Sequence, residues 1–270
     1  MRLFTAGLRK LITRPASYVS VGLLVGLLGL ILIAAASVQE NGGRGATSAR
    51  ALITFPGAYD LILSFMFGLG GLVAVLYAAA IAGSEWGWGT LKNAIARGES
   101  RARYMLSTFA AVALMIGVGL LLTFVLGLVL AALAASIAGV PTTGLTDADT
   151  LKRLPELALR GWFAVIEQAA LGFAIATLAR SQLAGIGAGI AFYFGEGFAT
   201  IFFPDVIKYM PFAVARASIE TSGSGGGFGG GGGSIPGALS PDTALLLVAA
   251  WLVGSLVVSV LFTERAEITG

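Results

Sequence analysis

Two glutamates lie inside long apolar stretches, where an acidic side chain is unusual. Glu167 is the one charged residue of 161–179, and Glu196 is the one charged residue of 181–204. A charged side chain near the middle of a bilayer costs about 2.5–3.5 kcal/mol on insertion scales, and it persists where it faces protein or water. Such a carboxyl group can form a hydrogen bond between packed helices, line a substrate path, or bind a proton or an ion. We consider both glutamates as candidates for a substrate pathway.

Composition excludes most kinds of catalytic chemistry. The chain has no histidine and no cysteine, which rules out metal sites built on those ligands, cysteine or histidine nucleophiles, and a Ser-His-Asp triad. The glycine-rich stretch 221–237 lacks the Lys-Ser/Thr pair of a phosphate-binding loop, so we interpret it as a flexible tether. We therefore expect a non-catalytic membrane subunit that holds no cofactor or metal of its own.

The elements that must position the two glutamates are membrane-spanning helices. Hydrophobic residues make up 57% of the chain and charged residues 11%, which is too apolar for a protein surrounded by water. A helix needs roughly 20 apolar residues to cross about 30 Å of hydrocarbon. The sequence therefore predicts an all-α, polytopic membrane protein that forms a single transmembrane domain over 1–270. The six predicted transmembrane helices are 17–39, 59–84, 105–139, 157–180, 182–204 and 243–263.

The third of these stretches, 105–139, is longer than one bilayer requires and too short for two spans with a turn. We interpret it as one long helix that protrudes into water. This interpretation gives an even number of spans and places both termini on the same side of the membrane. The segment 205–241 is then an external loop containing the glycine-rich stretch, and 204–220 has enough apolar residues for short interfacial helices.

Lysine and arginine are concentrated in two segments that lie on one side in this arrangement, 1–14 and 85–104. Because these residues mark cytosolic segments, we expect both termini in the cytosol and the chain in the plasma membrane of a prokaryotic cell. The formal net charge of +3 is a small excess and does not indicate a nucleic-acid partner. A cleaved signal peptide is the alternative interpretation of the N-terminus, but the apolar stretch is longer than such peptides use.

Both basic segments have the pattern of short amphipathic helices. In 1–14, polar and apolar residues lie on opposite helical faces and Pro15 follows as a stop, so we predict an interfacial helix. In 85–104 we predict a short helix that Thr90 can cap and that Gly98 ends. A helix of this kind can bury its apolar face in lipid headgroups, or it can offer that face to a cytosolic partner.

The residues of 85–104 favour the second use because they resemble a known family. An acidic residue followed by GTLKNAIARGESRARY resembles the acidic, Gly-Thr-Leu-(Arg/Lys)-Asn and Arg-Gly-x-(Ser/Thr)-Arg pattern of ATP-binding-cassette type 2 permeases, the membrane subunits of type V exporters. The later stretch LARSQLAGIGAGIAF, 178–192, resembles the junction between the fourth and fifth helices of those permeases. The Trp86-Gly87-Trp88 insertion departs from the pattern.

The resemblance implies a role for the matching residues. In that family the short cytosolic helix is a coupling helix that sits in a cleft of a separate ATPase, and an N-terminal connecting helix lies beside it. The chain would then be the permease subunit of an ATP-driven exporter, forming the substrate pathway as a dimer while the partner binds ATP. The implied partners are a cytosolic ABC ATPase, a second copy or related permease, membrane lipid, and an exported substrate of open class. The matching positions are Glu85, Gly89, Thr90, Leu91, Lys92, Asn93, Arg97, Gly98 and Arg101.

Two other functions remain as alternatives. A secondary carrier or channel would use Glu167 and Glu196 as ion or proton sites, although the sequence has no clear inverted repeat and no obviously broken helix. A membrane-embedded enzyme would need catalytic residues that the composition does not supply, such as the histidine partner of an intramembrane serine protease.

Overall fold

The computed structural model describes residues 2–40, 45–219 and 239–266, and the regular secondary structure of these residues is entirely helical. The helices are α1 (Arg2–Ile12), α2 (Pro15–Glu40), α3 (Ala46–Ile53), α4 (Gly57–Gly87), α5 (Thr90–Ala96), α6 (Arg101–Ile137), α7 (Ala148–Ala179), α8 (Gln182–Phe202), α9 (Pro204–Ile207), α10 (Pro211–Ile219) and α11 (Pro241–Arg265). A 3-10 turn, Thr143–Thr146, precedes α7. The glycine-rich stretch 221–237 lies outside the described residues.

Six of these helices, α2, α4, α6, α7, α8 and α11, are long and apolar enough to cross a membrane. The prediction of an all-α protein with six candidate membrane-spanning helices is therefore confirmed. The long apolar stretch of the sequence is a single helix, since α6 runs for 37 residues, or roughly 55 Å at 1.5 Å per residue. Gly139 follows α6 at a φ of +64°, a left-handed conformation that suits glycine and ends helices.

Helix α7 begins at Ala148, well before the predicted start of the fourth span at 157. Asp147 starts it, because its Oδ2 accepts hydrogen bonds from the Thr150 hydroxyl at 2.6 Å and the Thr150 N–H at 2.9 Å. Those two hydrogen bonds also hold the pKa of the Asp147 carboxyl group below its usual value. The helix begins earlier than the predicted span because charged residues mark where hydrocarbon ends, whereas a helix continues until its backbone bonding is interrupted.

Helices α4 and α7 form the centre of the bundle and are its most buried spans. Their close approach requires glycine, because a Cβ atom at Gly172 would lie 2.5 Å from the carbonyl oxygen of Val75. In the same way, a Cβ atom at Gly83 would lie 2.3 Å from the Gln182 backbone, where α4 passes the start of α8. Small residues at such crossings allow membrane helices to associate through van der Waals packing.

Helices α8 and α11 lie at the periphery. Their exposed positions are apolar, including Leu183 at 81% exposure and Phe198 at 69%. An outer surface formed by many apolar side chains is expected for helices that face lipid hydrocarbon. In hydrocarbon, backbone N–H and C=O groups must form hydrogen bonds within the helices. The fold is thus that of a multi-pass membrane protein.

The bundle has two distinct ends. The α5 end contains α1, α5, the turn at 180–181 and the C-terminal end of α11, and the α10 end contains α3, α9 and α10. The sequence predicted short interfacial helices in 204–220, and two short helices do lie there. However, α10 is buried between α7 and α11 rather than lying on the surface, with Phe212 and Ala213 each 1% exposed.

Candidate functional site

A buried carboxylate joins four helices at the α5 end. Glu85 lies in the last turn of α4 with 1% exposure. Its oxygens accept hydrogen bonds from the Lys10 ammonium of α1, the Thr90 hydroxyl at the start of α5 and the Tyr104 hydroxyl of α6. Because one donor carries a full positive charge, the negative charge of Glu85 is compensated within the protein. We call Glu85, Lys10, Thr90 and Tyr104 the Glu85 cluster.

The backbone around Thr90 turns sharply between α4 and α6. Gly89 has a φ of +67° and Gly98 a φ of +86°, so glycine supplies the left-handed conformation at both ends of α5. Helix α4 continues through Gly87, three residues past the predicted end of the second span at 84. The Thr90 hydroxyl does not cap α5 as predicted, because it bonds instead to Glu85.

The two faces of α5 have opposite environments. Leu91 is 1% exposed and Ala94 is 5% exposed, so the apolar face of α5 packs against the protein's own bundle. The outward face is polar and basic, with Lys92, Asn93 and Arg97 exposed. The structure therefore differs from the sequence analysis, which expected the apolar face to be free for lipid headgroups or for a partner.

Two arginines at the α5 end lie over aromatic rings. The Arg14 guanidinium carbon is 4.7 Å from the ring centroid of Trp88, and its Nη1 donates to the Ser84 hydroxyl at 3.0 Å. The Arg180 guanidinium carbon is 5.2 Å from the ring centroids of both Trp86 and Phe262. Such cation–π contacts contribute about 0.5–1 kcal/mol where they are exposed and more where they are desolvated. Trp86 thus contacts the turn at 180–181 and α11 through its shared partner Arg180, and Trp88 contacts the connection between α1 and α2.

Arg101, at the start of α6, holds the C-terminal end of α11. Its Nη1 donates to the carbonyl oxygens of Thr263, Glu264 and Ala266 at 3.1, 3.0 and 2.8 Å. The last carbonyls of a helix lack intrahelical partners and carry partial negative charge, so a guanidinium there is favourable. Arg101 consequently connects the segment after α5 with the last span.

The nine motif residues therefore have different positions. Glu85 and Thr90 bond to each other, Gly89 and Gly98 shape the turns, Leu91 is buried, Arg101 binds the end of α11, and Lys92, Asn93 and Arg97 face outward. The sequence analysis missed Lys10 and Tyr104 as members of the cluster. The sequence did contain one signal for a partner such as Lys10. A buried acidic residue at the edge of an apolar span requires a positive partner, and the basic segment 1–14 is predicted on the same side of the membrane.

Glu196 on α8 binds the start of α10 at the α10 end. It is 5% exposed, and its Oε2 accepts a hydrogen bond from the Phe212 N–H at 3.2 Å while its Oε1 accepts one from the Ala213 N–H. These N–H groups belong to the first turn of α10, whose positive end favours a carboxylate. Glu196 thereby fixes α10 to α8, and the guanidinium of Arg216 adds favourable electrostatics.

Glu167 is also buried, but its environment is different. It is 0% exposed on α7, and neither carboxyl oxygen has a hydrogen-bond partner among the described residues. Glu196 is close enough to interact with it by charge repulsion. The adjacent Gln168 points towards α4, because its Oε1 would lie 1.9 Å from a Cβ atom placed at Gly71. The structure therefore places both glutamates in the interior of the helical bundle.

Comparison with known protein families places the chain in a family. The model of a family described as a protein of unknown function, DUF2705, matches residues 28–269. The chain belongs to this family. The match covers five of the six candidate spans and the second half of α2, and it does not include α1. No curated protein matches the chain.

Proposed function

We propose that this chain is the permease subunit of an ATP-driven exporter of the type V ATP-binding-cassette class, acting as a dimer with separate cytosolic ATPase subunits. In this proposal α5 is the coupling helix and α1 is the connecting helix. The main support is the Glu85 cluster, because one carboxylate connects the short helix α5 to α1, α4 and α6. The resemblance of residues 85–104 to the permease motif supports the same assignment.

The Glu85 cluster gives α5 a means of moving the membrane helices. Leu91 and Ala94 are buried against the bundle, so α5 does not move independently of its neighbours. Thr90 is bonded to Glu85 at the end of α4, and Lys10 and Tyr104 extend the connection to α1 and α6. When ATP binding closes the ATPase subunits, the displacement of α5 would therefore shift α1, α4 and α6 together.

The exposed face of α5 indicates the chemistry of the docking contact. Lys92 and Arg97 point outward, while the apolar residues of α5 point inward. Charged groups that meet across an interface are arranged with complementary signs. We therefore propose that the partner cleft is acidic at this contact, and that increasing salt weakens the complex.

The α5 end is the cytosolic end in this proposal, because it carries the basic segments 1–14 and 85–104. The substrate pathway lies between two copies of the chain, since the interior of one protomer is filled by packed side chains around α4 and α7. Glu167 is buried within that interior rather than exposed to a partner copy.

The direct test is co-purification with an ATPase encoded beside this chain, using Lys92→Glu together with Arg97→Glu. The variant is expected to lose most of the bound ATPase and the stimulation of ATP hydrolysis, because like charges would then face each other. Lys152→Glu together with Arg153→Glu is the matched control, since both residues are exposed at the other end of the bundle and the change in net charge is the same. If assembly and ATPase stimulation in the Lys92 and Arg97 variant equal those of the control, α5 is not the docking helix.

A further inference from the structure

The two buried glutamates on α7 and α8 differ in the partners available to them. Glu196 accepts two backbone N–H groups at the positive end of α10, and Arg216 is near. Glu167 has no hydrogen-bond donor on either oxygen within the described residues, and Glu196 is its charged neighbour. Glu196 therefore has donors that can hold a negative charge, and Glu167 has none among the described residues.

A fully buried carboxylate without a donor or counter-charge is not maintained in an apolar interior. The desolvation cost of the ion is too large, so such a group binds a positive species or becomes neutral. A metal ion would need several oxygen ligands at short distance. The oxygens of Glu196 are directed at the α10 backbone and the Gln168 amide oxygen is directed at α4. The species that fits two carboxyl oxygens alone is a proton.

We propose that Glu167 is a proton-binding site within each protomer, and that Glu196 is the anion which anchors α10 beside it. The site is made by α7, α8 and α10, and it is separate from the Glu85 cluster at the other end of the bundle. Loss of the proton would create two neighbouring negative charges, which repel each other and favour separation of Glu167 on α7 from Glu196 on α8. The inference does not depend on the proposed partnership with an ATPase.

The proposal is tested by infrared spectroscopy of the full chain in lipid nanodiscs, with glutamate labelled by ¹³C at the side-chain carboxyl group. At neutral pH the wild-type protein is expected to show the C=O band of a protonated glutamic acid. The band should disappear in Glu167→Gln and in Glu167→Met, and it should remain in Glu196→Gln. Absence of the band from the wild type, or its persistence in either Glu167 variant, would overturn the proposal.

Thermal unfolding of the same samples provides a second readout. Glutamine has nearly the shape of a protonated glutamic acid, so Glu167→Gln is expected to unfold at the wild-type temperature. Glu196→Gln is expected to unfold at a lower temperature, because a neutral amide binds the α10 N–H groups less strongly than a carboxylate. If Glu167→Gln lowers the unfolding temperature as much as Glu196→Gln, then Glu167 carries a charge and the assignment is wrong.

Discussion

Glu85 at the α5 end and Glu167 in the centre of α7 are equally buried, but they differ in the hydrogen-bond donors around them. Glu85 is 1% exposed and Glu167 is 0% exposed. Glu85 has an ammonium and two hydroxyl donors, whereas Glu167 has no donor among the described residues. The difference shows that burial alone does not determine what an intramembrane carboxyl group does. The donors that surround it decide whether it connects helices as an anion or is carried as a neutral group.

The surroundings of the two residues explain this difference. The α5 end lies at the edge of the apolar spans, where the long side chains of Lys10 and Tyr104 can reach the end of α4. The residues one helical turn away from Glu167 on α7 are all apolar, namely Phe163, Ala164, Ala170 and Leu171. The α5 end is therefore stabilised by hydrogen bonds and an ion pair, whereas the region around Glu167 is stabilised by close packing. Substitutions can test these two contributions separately.

The largest effect is expected from Lys10→Met, which removes the cation of the Glu85 cluster and keeps an unbranched side chain. Glu85 would remain buried without a counter-charge, which costs about 3 kcal/mol of unfolding free energy. The measurement is reversible unfolding in mixed detergent micelles. Lys152→Met is the control, since Lys152 is 77% exposed and its ammonium lies 3.8 Å from Asp149. If both variants lost the same unfolding free energy, the burial of Glu85 would not be the reason for the effect of Lys10→Met.

The packed region is tested by Gly172→Ala, on the same helix as Glu167. Its Cβ atom would lie 2.5 Å from the Val75 carbonyl oxygen, and forcing α4 and α7 apart is expected to cost about 2 kcal/mol of unfolding free energy. Gly187→Ala is the matched control, because nothing lies within 4 Å of a Cβ atom there. Alanine should leave that site unchanged or slightly more stable. If Gly187→Ala lowered the unfolding free energy as much as Gly172→Ala, the close approach of α4 and α7 would not explain the effect at Gly172.

Tyr104→Phe removes one donor from the Glu85 cluster while keeping its ring. A hydrogen bond to a charged group contributes about 1.5 kcal/mol, so the loss of unfolding free energy should be smaller than for Lys10→Met. Tyr18→Phe is the control, since Tyr18 is 64% exposed on α2. A double-mutant cycle with Glu85→Gln should show that the two effects are not additive. Additive effects would show that Tyr104 stabilises the fold without acting through Glu85.

The sequence predicted the spans well because apolar length is a local property. The single long helix α6 followed from an uninterrupted apolar stretch, and Gly98 correctly marked the end of α5. Helix α7 begins nine residues before the predicted span at 157, because a helix can continue through the charges of 148–156 beyond the apolar stretch. Apolar length therefore predicts where lipid lies better than where a helix begins.

The partners of the candidate residues could not be predicted, because they come from distant parts of the chain. Lys10 and Glu85 are 75 residues apart, and Phe212 reaches Glu196 only because α10 folds back into the bundle. The amphipathic pattern of α5 was visible, but its periodicity does not say which surface covers the apolar face. The bundle itself covers Leu91, and this is a tertiary contact that local pattern cannot specify.

The smallest effect is expected from Asp242→Asn at the α10 end. Asp242 Oδ1 lies 3.0 Å from Arg160 Nη2, but the Asp242 side chain is 87% exposed. Water and salt screen such a pair, so its loss should change the unfolding free energy by about 0.5 kcal/mol or less, and raising the salt concentration should remove even that difference. The matched comparison is Lys10→Met, which also breaks a single ion pair between helices. Asp242→Asn and Lys10→Met could instead lower the unfolding free energy equally. The loss would then come from breaking any ion pair rather than from leaving Glu85 without a counter-charge in an apolar interior. The contrast between Glu85 and Glu167 would then have no physical basis.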